Sequence, residues 1–167
     1  AQIKGASWNG VEWSYAGSAG NGSSTVTVNV PAGSFDITGF AAFIREFNLK
    51  AILQGPYNAA TDLMNTALKA NGYLPTISPY NASESVANQA AIANDVVDWI
   101  LVELVDPANA NTIYAAQSAF LKSNGQITNL SGNNIISFTG VSESTVSVKL
   151  KHRNHLSVRT IAQTLSG

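Results

Sequence analysis

The sequence predicts a mainly β chain, an antiparallel β-sandwich of Ig-like or jelly-roll-like type with one short helix near residues 59–70. Three observations carry that prediction. Residues 25–30 and 145–150 alternate apolar and polar side chains strictly, the two-residue period of a half-buried strand. Residues 96–105, Val-Val-Asp-Trp-Ile-Leu-Val-Glu-Leu-Val, are dominated by β-branched and aliphatic side chains, as in a central strand covered on both faces. Turn residues separate such runs at about ten-residue spacing, which favours a sandwich over alternating β and α units.

The elements follow in order. Trp8-Asn9-Gly10-Val11 contains the Asn-Gly pair of a tight hairpin, and Glu12-Trp13-Ser14-Tyr15 reads as its returning strand. Residues 17–24 hold only Gly, Ser, Asn and Ala and read as a tether. The chain therefore divides into an N-terminal arm and Gly/Ser-rich tether, residues 1–24, and a single sandwich domain, residues 25–167. Strand 25–30 ends at Pro31 and Gly33, and Phe35 and Ile37 continue in strand register. Residues 39–47 read either as helix or as strand, and Phe40, Phe43 and Phe47 at helical spacing favour a short helix. Leu49, Ala51 and Leu53 resume the strand period until Gly55-Pro56.

Asn58 or Thr61 is placed to cap a helix with apolar positions Leu63, Met64, Ala67 and Leu68, stopped by Asn71-Gly72. Pro75 and Pro79 make residues 73–82 irregular or extended. After the central strand, Asp106-Pro107 is a stop. Ser123-Asn124-Gly125 marks a hairpin between residues 113–121 and 126–130, and strands follow at 135–138, 145–150 and 156–161.

Composition bounds function. Only 11% of the 167 residues are charged, against 45% hydrophobic, and the formal net charge is −1. Nine scattered basic residues give no footprint for nucleic acid, which needs clustered Lys and Arg. With no cysteine, disulfides, thiol catalysis and Cys-ligated metals are out. No apolar run has the length of a membrane-spanning helix. Phosphate-loop and Gly-x-Ser-x-Gly motifs do not occur. The start at Ala1-Gln2, without Met or leader, matches a mature exported protein.

Three peptides at about fifty-residue intervals, Leu53-Gln54-Gly55-Pro56-Tyr57, Asp98-Trp99-Ile100-Leu101-Val102-Glu103-Leu104 and His152-Arg153-Asn154-His155-Leu156, together resemble a module of large secreted and cell-surface proteins of Bacteroidota. Pro79-Tyr80 fits the same pattern. Val105 stands where that pattern usually carries Arg, and Ser157-Val158-Arg159 replaces its common Gly-Val-Met. The resemblance implies export and an extracellular, cell-surface setting, not a reaction.

His152 and His155 are the two histidines. On a straight strand they would face opposite ways, so a shared metal needs a bend at Arg153-Asn154. The reading adopted is a structural polar cluster of Asp98, Glu103, His152, Arg153, Asn154 and His155, with Arg153 paired to Glu103 or Asp98. No catalytic, cofactor-binding or metal residue is assigned. Trp8, Trp13 and Tyr15 are candidates for an intersubunit contact or for stacking on a sugar.

So neutral a surface has little electrostatic protection against association. The expectation is therefore a secreted, non-enzymatic module that self-assembles at the cell surface, as in a filament or pilus-like subunit with N-terminal strand exchange. The alternative is a carbohydrate-binding or adhesion module. The expected partners are copies of itself or a polysaccharide, with no cofactor.

Overall fold

The computed structural model describes residues 44–165 and, nearer the N-terminus, the strand segments 2–8, 12–18 and 28–29. Among the described residues the chain is mainly antiparallel β with one short helix. Strands β1 (Gln2–Trp8), β2 (Glu12–Ser18) and β3 (Val28–Asn29) form one small sheet in that order. β1 and β2 pair antiparallel, with Trp8 the register partner of Trp13 and Ala6 of Tyr15; the Asn9-Gly10 turn lies outside the described residues. Gly17 and Ser18, expected in the tether, pair with Ile3 and Gln2. The rest of the tether, and the expectations for Phe35, Ile37, Phe40 and Phe43, lie outside the described residues.

β4 (Ile44–Asn48) is a strand and not the end of a helix. Arg45 and Phe47 turn inward at a two-residue period: Arg45 is buried, and the Phe47 ring meets Phe138 edge-on at 6.1 Å. At Phe47 strand pairing with Ile136 overrides the helical spacing. The helix near 59–70 also shrinks. β5 (Tyr57–Asn58) and β6 (Leu63–Met64) form a small hairpin, and α1 is the single turn Ala67–Ala70. The Met64 N–H is donated to the Ser123 carbonyl at 2.8 Å and the Asn65 N–H to the Pro56 carbonyl. Those donors are lost to any helix through residues 59–66, and Met64 is buried by tertiary contacts.

Residues 73–92 are irregular, as the prolines require, and include a 3-10 turn at Gln89–Ala91. The main sheet is built on β7 (Val96–Val105), β8 (Ile113–Lys122), β9 (Ile127–Thr128), β11 (Thr145–His152) and β12 (His155–Arg159), in the order β12-β11-β7-β8-β9. Its central member is β7, paired with both β8 and β11. β10 (Ile135–Thr139) pairs with β4, and β13 (Gln163–Thr164) pairs with β11. Just past β4, the Ile127 N–H is donated to the Leu49 carbonyl and the Ala51 N–H to the Gly125 carbonyl, both at 2.9 Å. The crossing strand thus bonds first to β10 and then to the β9 hairpin.

Two apolar clusters sit on the two faces of β7. One gathers Ile100, Val102 and Leu104 with Leu121, Ile136, Phe138 and Val148 beneath the β4–β10 pair. The other packs Val96, Trp99 and Phe120 against Leu74 and Ile92 of the covering segment 73–92. The Trp99 ring lies 4.4 Å from Phe120 and donates its indole N–H to the Pro75 carbonyl at 2.9 Å. A register shift between Val96 and Asp98 is a β-bulge and accounts for Val96 and Trp99 sharing a face.

Gly125 holds a left-handed turn at φ +83, where an added Cβ would lie 2.9 Å from Ile52 Cδ1 and 3.0 Å from the Ala51 carbonyl oxygen. Gly125→Ala is therefore expected to lower the urea midpoint of unfolding by the equivalent of roughly 1–3 kcal/mol. An equivalent Ala at Gly132, whose Cβ would meet nothing within 4 Å, pays only for the backbone conformation and loses less.

Candidate functional site

Asp98 lies just past the bulge in β7, in register with Leu121, and is buried, 2% exposed. An unpaired carboxylate there would cost several kcal/mol, and the structure surrounds it with donors. Arg153 Nη2 reaches both carboxylate oxygens at 2.9 Å, the Trp99 N–H donates to Oδ1 at 2.8 Å, and His152 Nε2 lies 3.2 Å from Oδ2. Arg153 and Asn154 are the two-residue turn of the β11–β12 hairpin, so His152 and His155 are direct register partners. The bend required for the histidines to share a side is present.

Their protonation pattern follows from the bonds. The Asn154 N–H is donated to His152 Nδ1 at 3.3 Å, which makes that nitrogen an acceptor and leaves the His152 proton on Nε2, toward Asp98. His155 Nδ1 lies 2.9 Å from the same His152 nitrogen and must donate its own proton to it. The chain of donors runs from His155 through His152 to Asp98. Burial, the largest influence, holds the His152 imidazole below its ordinary value of 6.5, against the opposing pull of Asp98 and with His155 and Arg153 adding to the depression. Below pH 6.5 the unfolded chain takes up this proton more readily than the folded one. The contribution of His152 to stability is thus complete above that pH and declines as pH falls through it.

Tyr80 completes the cluster from the covering segment. Its hydroxyl accepts the Arg153 N–H at 3.0 Å and donates to the Trp99 carbonyl at longer range, and burial is the main cause of its raised pKa. Gly55 approaches from the other side: a Cβ there would stand 3.8 Å from His155 Nε2. The peptides around Gly55, Tyr80, Asp98 and His152, separated by tens of residues in sequence, meet at one point. No family model, curated protein or solved structure matches the chain.

Glu103 belongs to a separate network, so Arg153 pairs with Asp98 and not with Glu103. Glu103 is 2% exposed, and its partners are two lysines of β11: Lys149 Nζ lies 3.3 Å from Oε2 and Lys151 Nζ 3.4 Å from Oε1. Lys149 is its direct cross-strand partner. Sequence reasoning passed over both lysines, although their two-residue spacing in an alternating strand was the available signal. Among the described residues, no group of three or more His, Asp or Glu side chains could hold a metal ion.

Two depressions flank the cluster. A cleft of about 780 Å³ is lined by Gly55, Tyr57, Met64 and Asp98 among others. A more apolar groove of about 450 Å³ lies between Ile52, Leu53, Leu150, His155, Leu156 and Val158. Through Asp98 the arrangement fastens the β11–β12 hairpin to β7.

In a double-mutant cycle, Asp98→Ala and Arg153→Ala are expected to be strongly non-additive, by about 1–3 kcal/mol, because the second change removes the charge that the first leaves unpaired. Glu103→Ala combined with Arg153→Ala should be additive to within about 0.5 kcal/mol. Chemical denaturation of the three single and two double variants reads both quantities.

Proposed function

We propose that the chain is a secreted, non-enzymatic structural module that associates with copies of itself at the cell surface, with β12 as the contact edge. The observation that carries this reading is the state of β12. All five of its residues are exposed, and Leu156 is 94% and Val158 60% accessible, with Ile161 at 83% just beyond. Among the described residues β12 pairs with β11 and with no strand on its outer side. A sheet edge that offers free backbone groups beside apolar side chains is a template for another strand.

A second copy suits that edge. The order His-Leu-Ser-Val-Arg is symmetric in polarity about Ser157. An antiparallel pairing of β12 with its own copy about a two-fold axis sets Leu156 opposite Val158 twice and His155 opposite Arg159, with the apolar pairs at the centre. A net charge of −1 leaves little long-range repulsion to oppose the approach. The extracellular setting rests on the resemblance to surface modules of Bacteroidota. Exchange through the N-terminal arm would require β1 to leave β2, its partner within the same chain, so β12 is the better-supported element.

Sedimentation of the protein across a wide concentration range should show mass rising above that of the monomer, and Val158→Lys should weaken this association about tenfold or more while leaving the circular dichroism unchanged. A wild-type protein that stays monomeric at the highest concentrations sinks the reading.

A second reading, a carbohydrate-binding or adhesion module, is favoured by the register of β1 and β2. Trp8 and Trp13 are direct register partners, and Tyr15 lies two positions further along β2. Pull-down on insoluble polysaccharide should be abolished in Trp13→Ala and retained in Val158→Lys if this reading holds.

A further inference from the structure

We propose that the His152–His155 pair is a proton-operated latch, which holds β12 against β11 in neutral solution and releases it in mildly acidic solution. The inference deepens the assembly reading above, because β12 is the edge assigned to the contact between copies, but the latch itself rests on the local geometry.

Two imidazoles whose Nδ1 atoms lie 2.9 Å apart need one proton between them and cannot tolerate two. Three of the four ring nitrogens can carry a proton with the latch closed: His152 Nε2 toward Asp98, His155 Nδ1 toward His152, and His155 Nε2 on the open side. A proton on the fourth, His152 Nδ1, opposes two donors at once, the His155 Nδ1–H and the Asn154 N–H of the turn. Both bonds across the hairpin are then lost.

The surroundings do not compensate. The titratable and charged groups facing the pair are Asp98 from β7, Arg153 from the turn and Tyr80 from the covering segment, while Lys151 of β11 is directed to Glu103. Asp98 already receives the His152 Nε2–H in either protonation state, together with two contacts from Arg153 and the Trp99 N–H. A further proton on His152 gains no new bond to Asp98 and places a second cation beside the guanidinium. The imidazole is also largely buried, its side chain 6% exposed, and burial opposes the charged form. What then holds β12 lies toward its far end: the register pairs Leu150–Val158 and Lys149–Arg159, the Arg159 guanidinium on the Pro107 carbonyl and, just beyond the strand, the bonds between Thr160 and Val148.

The test is amide hydrogen exchange by NMR on dilute, monomeric protein at about pH 7.5 and about pH 5, corrected for intrinsic rates, with light scattering of concentrated protein alongside. Protection of the β12 amides is expected to fall about tenfold or more on acidification while that of β7 holds. His155→Phe keeps a ring but supplies no proton, and His152→Gln keeps a donor for Asp98 but cannot be charged. Either variant should remove the pH dependence. Protection in β12 that is the same at both pH values, or that falls equally in the variants, overturns the latch. A pH-dependent β12 in a protein that never gains mass leaves the latch standing and removes the assembly reading, so the two failures are distinguishable.

Discussion

The carboxylate of Asp98 is the constraint on which the rest of this architecture depends. Buried at the bulge of the central strand, it has to be surrounded by donors, and they come from its own backbone neighbour and from the β11–β12 turn. Satisfying one charge fixes the position of the turn, and the turn fixes β12. The Arg153 N–H then holds the Tyr80 hydroxyl, which ties the covering segment over Trp99. Removing a partner here costs more than the loss of one hydrogen bond, because a stranded charge in the interior is worth several kcal/mol.

Much of the fold was legible in the sequence because alternation maps directly onto sheet faces. β7, β8, β10 and β11 lie where the apolar and β-branched runs place them, and the turn at Ser123-Asn124-Gly125 is a hairpin. The spacing of Leu63, Met64, Ala67 and Leu68 led instead to a helix over 59–70, of which one turn survives. Periodicity cannot tell that the Met64 N–H is claimed by Ser123, a residue distant in sequence. Local spacing is equally blind at Phe47, whose partner strand, β10, lies far along the chain.

The polar cluster was legible in membership and not in wiring. Strict alternation separates Asp98 from Glu103, which the structure upholds, but it gives no sign of the β11–β12 turn that brings Arg153 to Asp98. Nor does it show the bulge before Asp98, visible only as the shift of Val96 onto the face of Trp99. The sequence places Glu103 in the polar cluster, with Arg153 as one candidate partner; the direct cross-strand position opposite it is Lys149. Finding that pair required the register of β11 against β7, which no property of either strand alone specifies.

The loop between β11 and β12 is only two residues long, and one of them, Arg153, is itself an anchor. Lengthening it by even one residue would slide His155 away from His152 and swing the guanidinium off Asp98 together. The turn after β9 is different: Asn129 closes it locally, accepting from the Ser131 and Asn133 N–H groups in an exposed stretch. Peptide tags, fluorophore sites or grafted epitopes therefore belong at residues 131–133, and length variation among natural variants of this chain should accumulate there while the Arg153-Asn154 tip stays invariant in length.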